Sequence, residues 1–147
     1  MKIFIGADHR GFHLKQNVID YLKLNGHEVI DEGDKGLNAE DDFPQFAGRV
    51  ASALLAEGET SARGILICGS GQGMCMAANR FKGIRACLGY DRHTVRESRN
   101  DEDSNVLCLP SDTLKSDQMH SIVDTWLDTP FANAPRYNRR IKEMDEL

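Results

Sequence analysis

Along the chain, short apolar runs alternate with longer stretches in which apolar residues return every three or four positions. The runs Lys2–Ala7 (KIFIGA), Glu28–Asp31 (EVID), 63–68 (RGILIC), 84–88 (IRACL) and 105–109 (NVLCL) are too brief for helices. They barely alternate between apolar and polar, which is the pattern of strands buried on both faces of a parallel sheet. Between them, Leu14, Val18 and Leu22 mark one helical face, with Gly26 as its stop. Asp42 and Pro44 open a second helix, whose face is Phe46, Val50, Ala53 and Leu54 and which ends by Gly58. A third helix is expected to begin near Met74, and a fourth carries Met119, Ile122, Val123, Trp126 and Leu127 ahead of Pro130. The basic stretch 135–147 predicts a terminal helix. Strand and helix in alternation predict a doubly wound α/β sandwich. With no repeat, low-complexity segment or linker, residues 1–147 read as a single domain.

Composition narrows the function classes. A net charge of -5 disfavours non-specific binding to nucleic acid or to anionic membrane, since both would repel the chain. No apolar stretch approaches the ~20 residues of a membrane span, and the apolar run in MKIFIGADHRG is too short for a signal peptide. Cys68, Cys75, Cys87 and Cys108 form no CxxC pair and lack the spacing of small secreted domains. A reducing cytoplasm is the expected compartment. Zinc is not expected, because no two Cys/His pairs have ligand spacing.

The densest chemistry lies in residues 65–79, ILICGSGQGMCMAAN. A buried strand ends at Cys68, and Gly69, Gly71 and Gly73 follow before a helix. Missing side chains let backbone N–H groups close on an anion at the helix start, where a neighbouring cysteine ionises more readily. A plain tight turn beside a buried cysteine fits the same residues. So does a nucleotide site with Asp91 as the ribose acid. However, GSGQG is GxGxG rather than GxGxxG, and no GK[ST] follows it. A second group, Asp8-His9-Arg10, comes directly after the first strand. If that strand neighbours the third, Asp8, His9 and Cys68 share one crevice beyond the strand ends; otherwise Asp8 is a helix cap. In a third group, Arg136 and Arg140 sit at i, i+4, spaced to grip one phosphate or to pair with Glu143 and Asp145 as a solvated tail.

Together ADHRGF, CGSGQG, AANRFKGIRA and RYNRRI resemble, in order and nearly end to end, the ribose-5-phosphate isomerase B family, which includes galactose- and allose-6-phosphate isomerases. The resemblance implies a Rossmann-like three-layer α/β/α sandwich with a five-stranded parallel sheet. It also implies a homodimer with active sites at the subunit interface, and no metal or organic cofactor. It casts Cys68 as the base that moves a proton between C1 and C2 of a sugar phosphate. Relatives lacking this cysteine use a glutamate on the next turn, where this chain has Met74. Ser70 and the amides of residues 69–73 would stabilise the enediolate, and Asp8 would orient hydroxyls. His9, with Arg136 and Arg140 from the partner, would bind the phosphate.

Three positions depart from the family pattern. Asp101 and Glu102 stand where a ring-opening His and its Asn neighbour are usual, and Asp112 stands for a phosphate-binding arginine. Asp101 can still act as a general base on the anomeric hydroxyl. Arg10, Arg92 and His93 are the nearby side chains able to take over the lost roles. The expected reaction interconverts D-ribose 5-phosphate and D-ribulose 5-phosphate. The alternatives are another aldose phosphate (allose 6-phosphate, galactose 6-phosphate or a tetrose phosphate) or a non-catalytic sugar-phosphate binder.

Overall fold

The structure, a computed structural model, describes residues 1–58 and 62–147. Its elements run β1 (Lys2–Ala7), α1 (Phe12–Leu24), β2 (Glu28–Asp31), α2 (Phe43–Glu57), β3 (Ala62–Cys68), α3 (Gln72–Ala78), β4 (Ala86–Leu88), α4 (Arg92–Glu102), β5 (Val106–Pro110), α5 (Ser116–Asp128) and α6 (Pro135–Asp145). All strand pairs are parallel, in the order β2-β1-β3-β5-β4. The chain first steps from β1 outward to β2, then crosses back to β3 on the other side of β1. That reversal places a crevice between β1 and β3, beyond their carboxyl ends.

Strand parity builds the two helical layers. Ile3, Ile5, Ala7, Ile65, Ile67, Leu107 and Leu109 face α1, α4 and α5 and pack around Val18, Leu22, Val95, Ile122 and Trp126. Phe4, Leu66, Cys68, Val106 and Cys108 face α2 and α3 and pack on Phe46, Val50, Leu54, Met74 and Ala78. The expected three-layer α/β/α sandwich is thus the observed one. Trp126 is fully buried, and its indole N–H donates to Ser104 Oγ at 2.8 Å, so the largest side chain is both packed and satisfied.

Several boundaries differ from the sequence reading. β4 begins at Ala86 instead of residue 84. Asn105 stays outside β5, and its side chain instead bonds the 83–85 turn, donating to Gly83 O and accepting from Arg85 N, both at 2.8 Å. Helix α4, RHTVRESRNDE, has no apolar stripe to betray it; it buries only Val95 and Arg99. Asp91 caps α4 by accepting from Thr94 N at 2.8 Å, and that backbone bond holds its carboxyl below the ordinary range. Asp91 is therefore a helix cap, which removes the feature that favoured a nucleotide site. The acidic run 101–103 forms the end of α4: Asp101 and Glu102 close its last turn. Asp103 follows as the C-cap in the left-handed region at φ 50°, bonded to the buried Arg99 at 2.6 Å.

Candidate active site

Register brings the first site pair together. Ala7 pairs with Ile67, and Asp8 N donates to Ile67 O at 3.2 Å, extending the β1–β3 ladder by one residue. Asp8 and Cys68 therefore sit side by side at the strand ends, roughly one strand spacing (~4.8 Å) apart. They share the parity of Gly6 and Leu66, on the α2 and α3 face, and are only 7% and 5% exposed. One Asp8 oxygen accepts from Gly11 N at 3.0 Å, so the carboxylate does cap the turn into α1. Its other oxygen has no bond within the chain among the described residues, and remains free for a ligand hydroxyl.

His9 is oriented by a residue the sequence reading did not single out. Asp41 Oδ1 lies 2.7 Å from His9 Nδ1 and also accepts the His9 N–H at 3.1 Å. The bond to Asp41 raises the His9 pKa above its ordinary value, outweighing desolvation. With Nδ1–H held by Asp41, Nε2 is left to face a ligand. The only sequence signal for Asp41 was its place one residue ahead of the helix opening at Asp42.

The glycine loop is shaped by two neighbours and one dihedral. Gly71 precedes α3 in the left-handed region at φ 74°, open to glycine at little cost. At Gly69 the guanidinium of Arg10 lies flush on the backbone, where any Cβ would overlap it. The Phe43 ring comes within 2.9 Å of a Cβ built on Gly73. Helix α3 starts at Gln72, slightly ahead of the expected Met74, which is fully buried in the core.

Ser111 and Asp112 clamp the carbonyls of this loop. Ser111 N and Oγ donate to Cys68 O at 2.9 and 3.1 Å, and Asp112 N donates to Gly69 O at 3.0 Å. Ser70 Oγ accepts from Gln72 N at 3.3 Å. The amides of Gly69, Ser70, Gly71 and Gly73 donate no bond among the described residues. Such converging free N–H groups beside a thiol can stabilise an oxyanion next to a proton-transfer site.

A second group lies apart from the first. Helix α6 buries none of its residues and packs on α4. Arg136 and Arg140 are exposed on it and form no ion pair among the described residues, whereas Glu143 is taken by Arg139 at 3.9 Å. Against α6 lies the end of α4. Asp101, as hydrogen-bond acceptor, pushes the Tyr137 phenol up from its ordinary value. Burial, then Asp101 and Glu97, push Glu102 up while Arg140 opposes them. No hydrogen bond or ion pair joins Asp101, Arg136 or Arg140 to the Cys68 group among the described residues. His93 lies in the first turn of α4, eight residues before Asp101, or about 12 Å along the axis, so it does not stand in at that position; Arg92 bonds Thr125 at 3.2 Å. Clefts of about 860 and 500 Å³ lie at the 79–87 segment with the end of α6, and at 90–93 with the start of α5. Neither contains Cys68.

The profile of the ribose/galactose isomerase family matches residues 3–144. The chain belongs to this family. A probable ribose-5-phosphate isomerase B of Mycoplasma pneumoniae is 40% identical over 142 residues, covering 97% of this chain and 91% of that protein. Ribose-5-phosphate isomerase B of Escherichia coli is 39% identical over 146 residues, covering 99% and 95%. Among solved structures, a ribose 5-phosphate isomerase of Thermotoga maritima matches with TM-score 0.93 and 40% identity, covering 99% and 98%. The Mycoplasma genitalium ribose-5-phosphate isomerase B, solved with bound ribulose-5-phosphate, matches with TM-score 0.92 and 38% identity, covering 99% and 94%. In this family member no group of three or more His, Cys, Asp or Glu is placed to hold a metal ion among the described residues. No helix among them is long and apolar enough to cross a membrane.

Proposed function

We propose that this isomerase-family chain interconverts D-ribose 5-phosphate and D-ribulose 5-phosphate by proton transfer through an enediolate. The observation that carries the reading is the placing of Asp8 beside Cys68 where the paired strands β1 and β3 end, followed by four loop amides that donate no bond among the described residues. The Cys68 thiolate removes the C2 proton of the open-chain aldose. The electron pair forms the C1–C2 double bond, and the carbonyl oxygen at C1 takes up negative charge. Amides 69–73 and Ser70 stabilise that oxygen. Protonation of C1 by the Cys68 thiol, as the O2 proton passes to O1 and the C2–O2 carbonyl forms, gives the ketose. Asp8 orients the sugar hydroxyls, and His9, steadied by Asp41, meets the phosphate.

The rest of the phosphate grip comes from a second copy. Arg136 and Arg140 form no ion pair among the described residues and lie on a helix that buries none of its own residues, which supports a homodimer in which they reach the other subunit's Cys68. Asp101, on the neighbouring turn of α4, then serves as the base that opens the sugar ring. The whole chain acts as one domain, without cofactor, in the cytoplasm.

Competing substrates are separated by kcat/KM for ribose 5-phosphate, allose 6-phosphate, galactose 6-phosphate and a tetrose phosphate measured side by side. Ribose 5-phosphate is expected to lead, with Asp101→Ala slowing it more than the tetrose phosphate, which has no stable ring to open. A clear preference for a hexose phosphate would refute the substrate assignment. Binding without turnover of any of them would favour a non-catalytic binder.

The His9–Asp41 bond predicts a pH dependence. A raised folded pKa means that the pair's contribution is fully present below the unfolded value near 6.5 and is lost as pH climbs through the folded value. Protonated His9 binds phosphate, so KM should rise with pH across that upper limb. Asp41→Asn should move the rise to lower pH. A KM profile identical in Asp41→Asn and wild type would remove His9 from phosphate binding.

A further inference from the structure

Arg10 is a permanently charged cation at the Cys68 crevice, and several contacts place it there. Its guanidinium rests on Gly69, the residue after the proposed base. Nη2 donates to Asp112, whose own amide holds Gly69 O at 3.0 Å. The Arg10 carbonyl shares the single Ser111 hydroxyl proton with Cys68 O, at 2.9 and 3.1 Å, which ties the β1–α1 and β5–α5 loops together. Yet the side chain is 55% exposed, and among the described residues Asp112 is the one acceptor that its five N–H donors meet. Asp8, Asp41 and Asp112 would otherwise leave the crevice repulsive to a dianion.

We infer that Arg10 is a phosphate-gripping arginine of the Cys68 half of the site, with Asp112 as a resident counter-ion that competes with the substrate phosphate. The inference rests on the sugar-phosphate reading above. The planar fork suits a phosphate better than a single carboxylate, because it can present two parallel N–H donors to it. Asp112 has two opposed effects: it holds the fork over Gly69, and it occupies one of the donors that the ligand would use. Because the pair is exposed and screened, the ligand can displace the carboxylate cheaply.

The two partners therefore affect binding with opposite signs, which a merely structural ion pair would not do. The test measures the inorganic phosphate Kd by calorimetry, and KM and kcat for ribose 5-phosphate, in wild type, Arg10→Ala, Arg10→Lys and Asp112→Asn. Arg10→Ala should weaken phosphate and raise KM by roughly tenfold to a hundredfold, the loss of a charged hydrogen bond, with kcat changing less. Arg10→Lys should fall between, and it covers the case in which the alanine variant folds poorly. Asp112→Asn should tighten phosphate and lower KM. Both substitutions shifting Kd in the same direction, or neither shifting it, would overturn the inference. The two readings fail separately. A wild type without isomerase activity whose phosphate Kd still depends on Arg10 refutes the isomerase reading alone; an active wild type whose Kd ignores Arg10 refutes this one alone.

Discussion

Cys68→Ala should lower kcat for ribose 5-phosphate by at least ~10²-fold, the usual scale for removing a positioned acid–base group, while inorganic phosphate still binds. Cys68→Ser should behave almost as badly, because a hydroxyl is a far weaker acid than a thiol at neutral pH. The prediction is sharp because nothing nearby can substitute. Met74, on the next turn, is fully buried and carries no proton. Asp8 is committed to the Gly11 amide through one oxygen and belongs to the hydroxyl-orienting wall. Of the other thiols on this face, Cys108 is fully buried within β5 and Cys75 is turned to Ala86 O at 3.4 Å. A Cys68→Ala protein with near-normal turnover and intact thermal stability would assign the base elsewhere.

Arg140→Ala should raise KM strongly without loss of fold, since the side chain is exposed on α6 and forms no ion pair among the described residues. The larger effect is expected on mixing. When Cys68→Ala and Arg140→Ala subunits are combined, each heterodimer regains one site built from the Cys68 of one chain and the Arg140 of the other. Equal, random exchange in a two-fold dimer makes half the dimers hybrid, with one sound site each, so activity should recover to about a quarter of wild type. Either protein alone should stay far below that. No recovery after confirmed subunit exchange would place both groups in one subunit and remove the shared site.

What the sequence disclosed follows from where its patterns are redundant. β1 and β3 read clearly because strands buried on both faces must be apolar throughout, and their adjacency then brought Asp8 beside Cys68. Helix α4 was invisible for the opposite reason: only Val95 and the salt-bridged Arg99 are buried along it, so no stripe marks it. Asp41 and Ser111 act through contacts made across 32 and 43 residues, and Phe43 reaches Gly73 from a comparably distant part of the chain, which no local spacing encodes. Gly69 shows the subtler limit. The sequence explained it as a route for amides to an anion, and the structure adds a second reason, the room needed by Arg10.

The central claim is proton transfer at C1–C2 of ribose 5-phosphate with Cys68 as the carrier. Its most direct test is to incubate the wild-type protein with ribose 5-phosphate in heavy water and follow both sugars by NMR through many turnovers. The account predicts ribulose 5-phosphate carrying deuterium at C1, then deuterium at C2 of the returning aldose, with both signals absent on the same timescale for Cys68→Ala. Interconversion with no deuterium entering either carbon would contradict it, because a hydrogen that never exchanges with solvent has moved as hydride and not through a thiol.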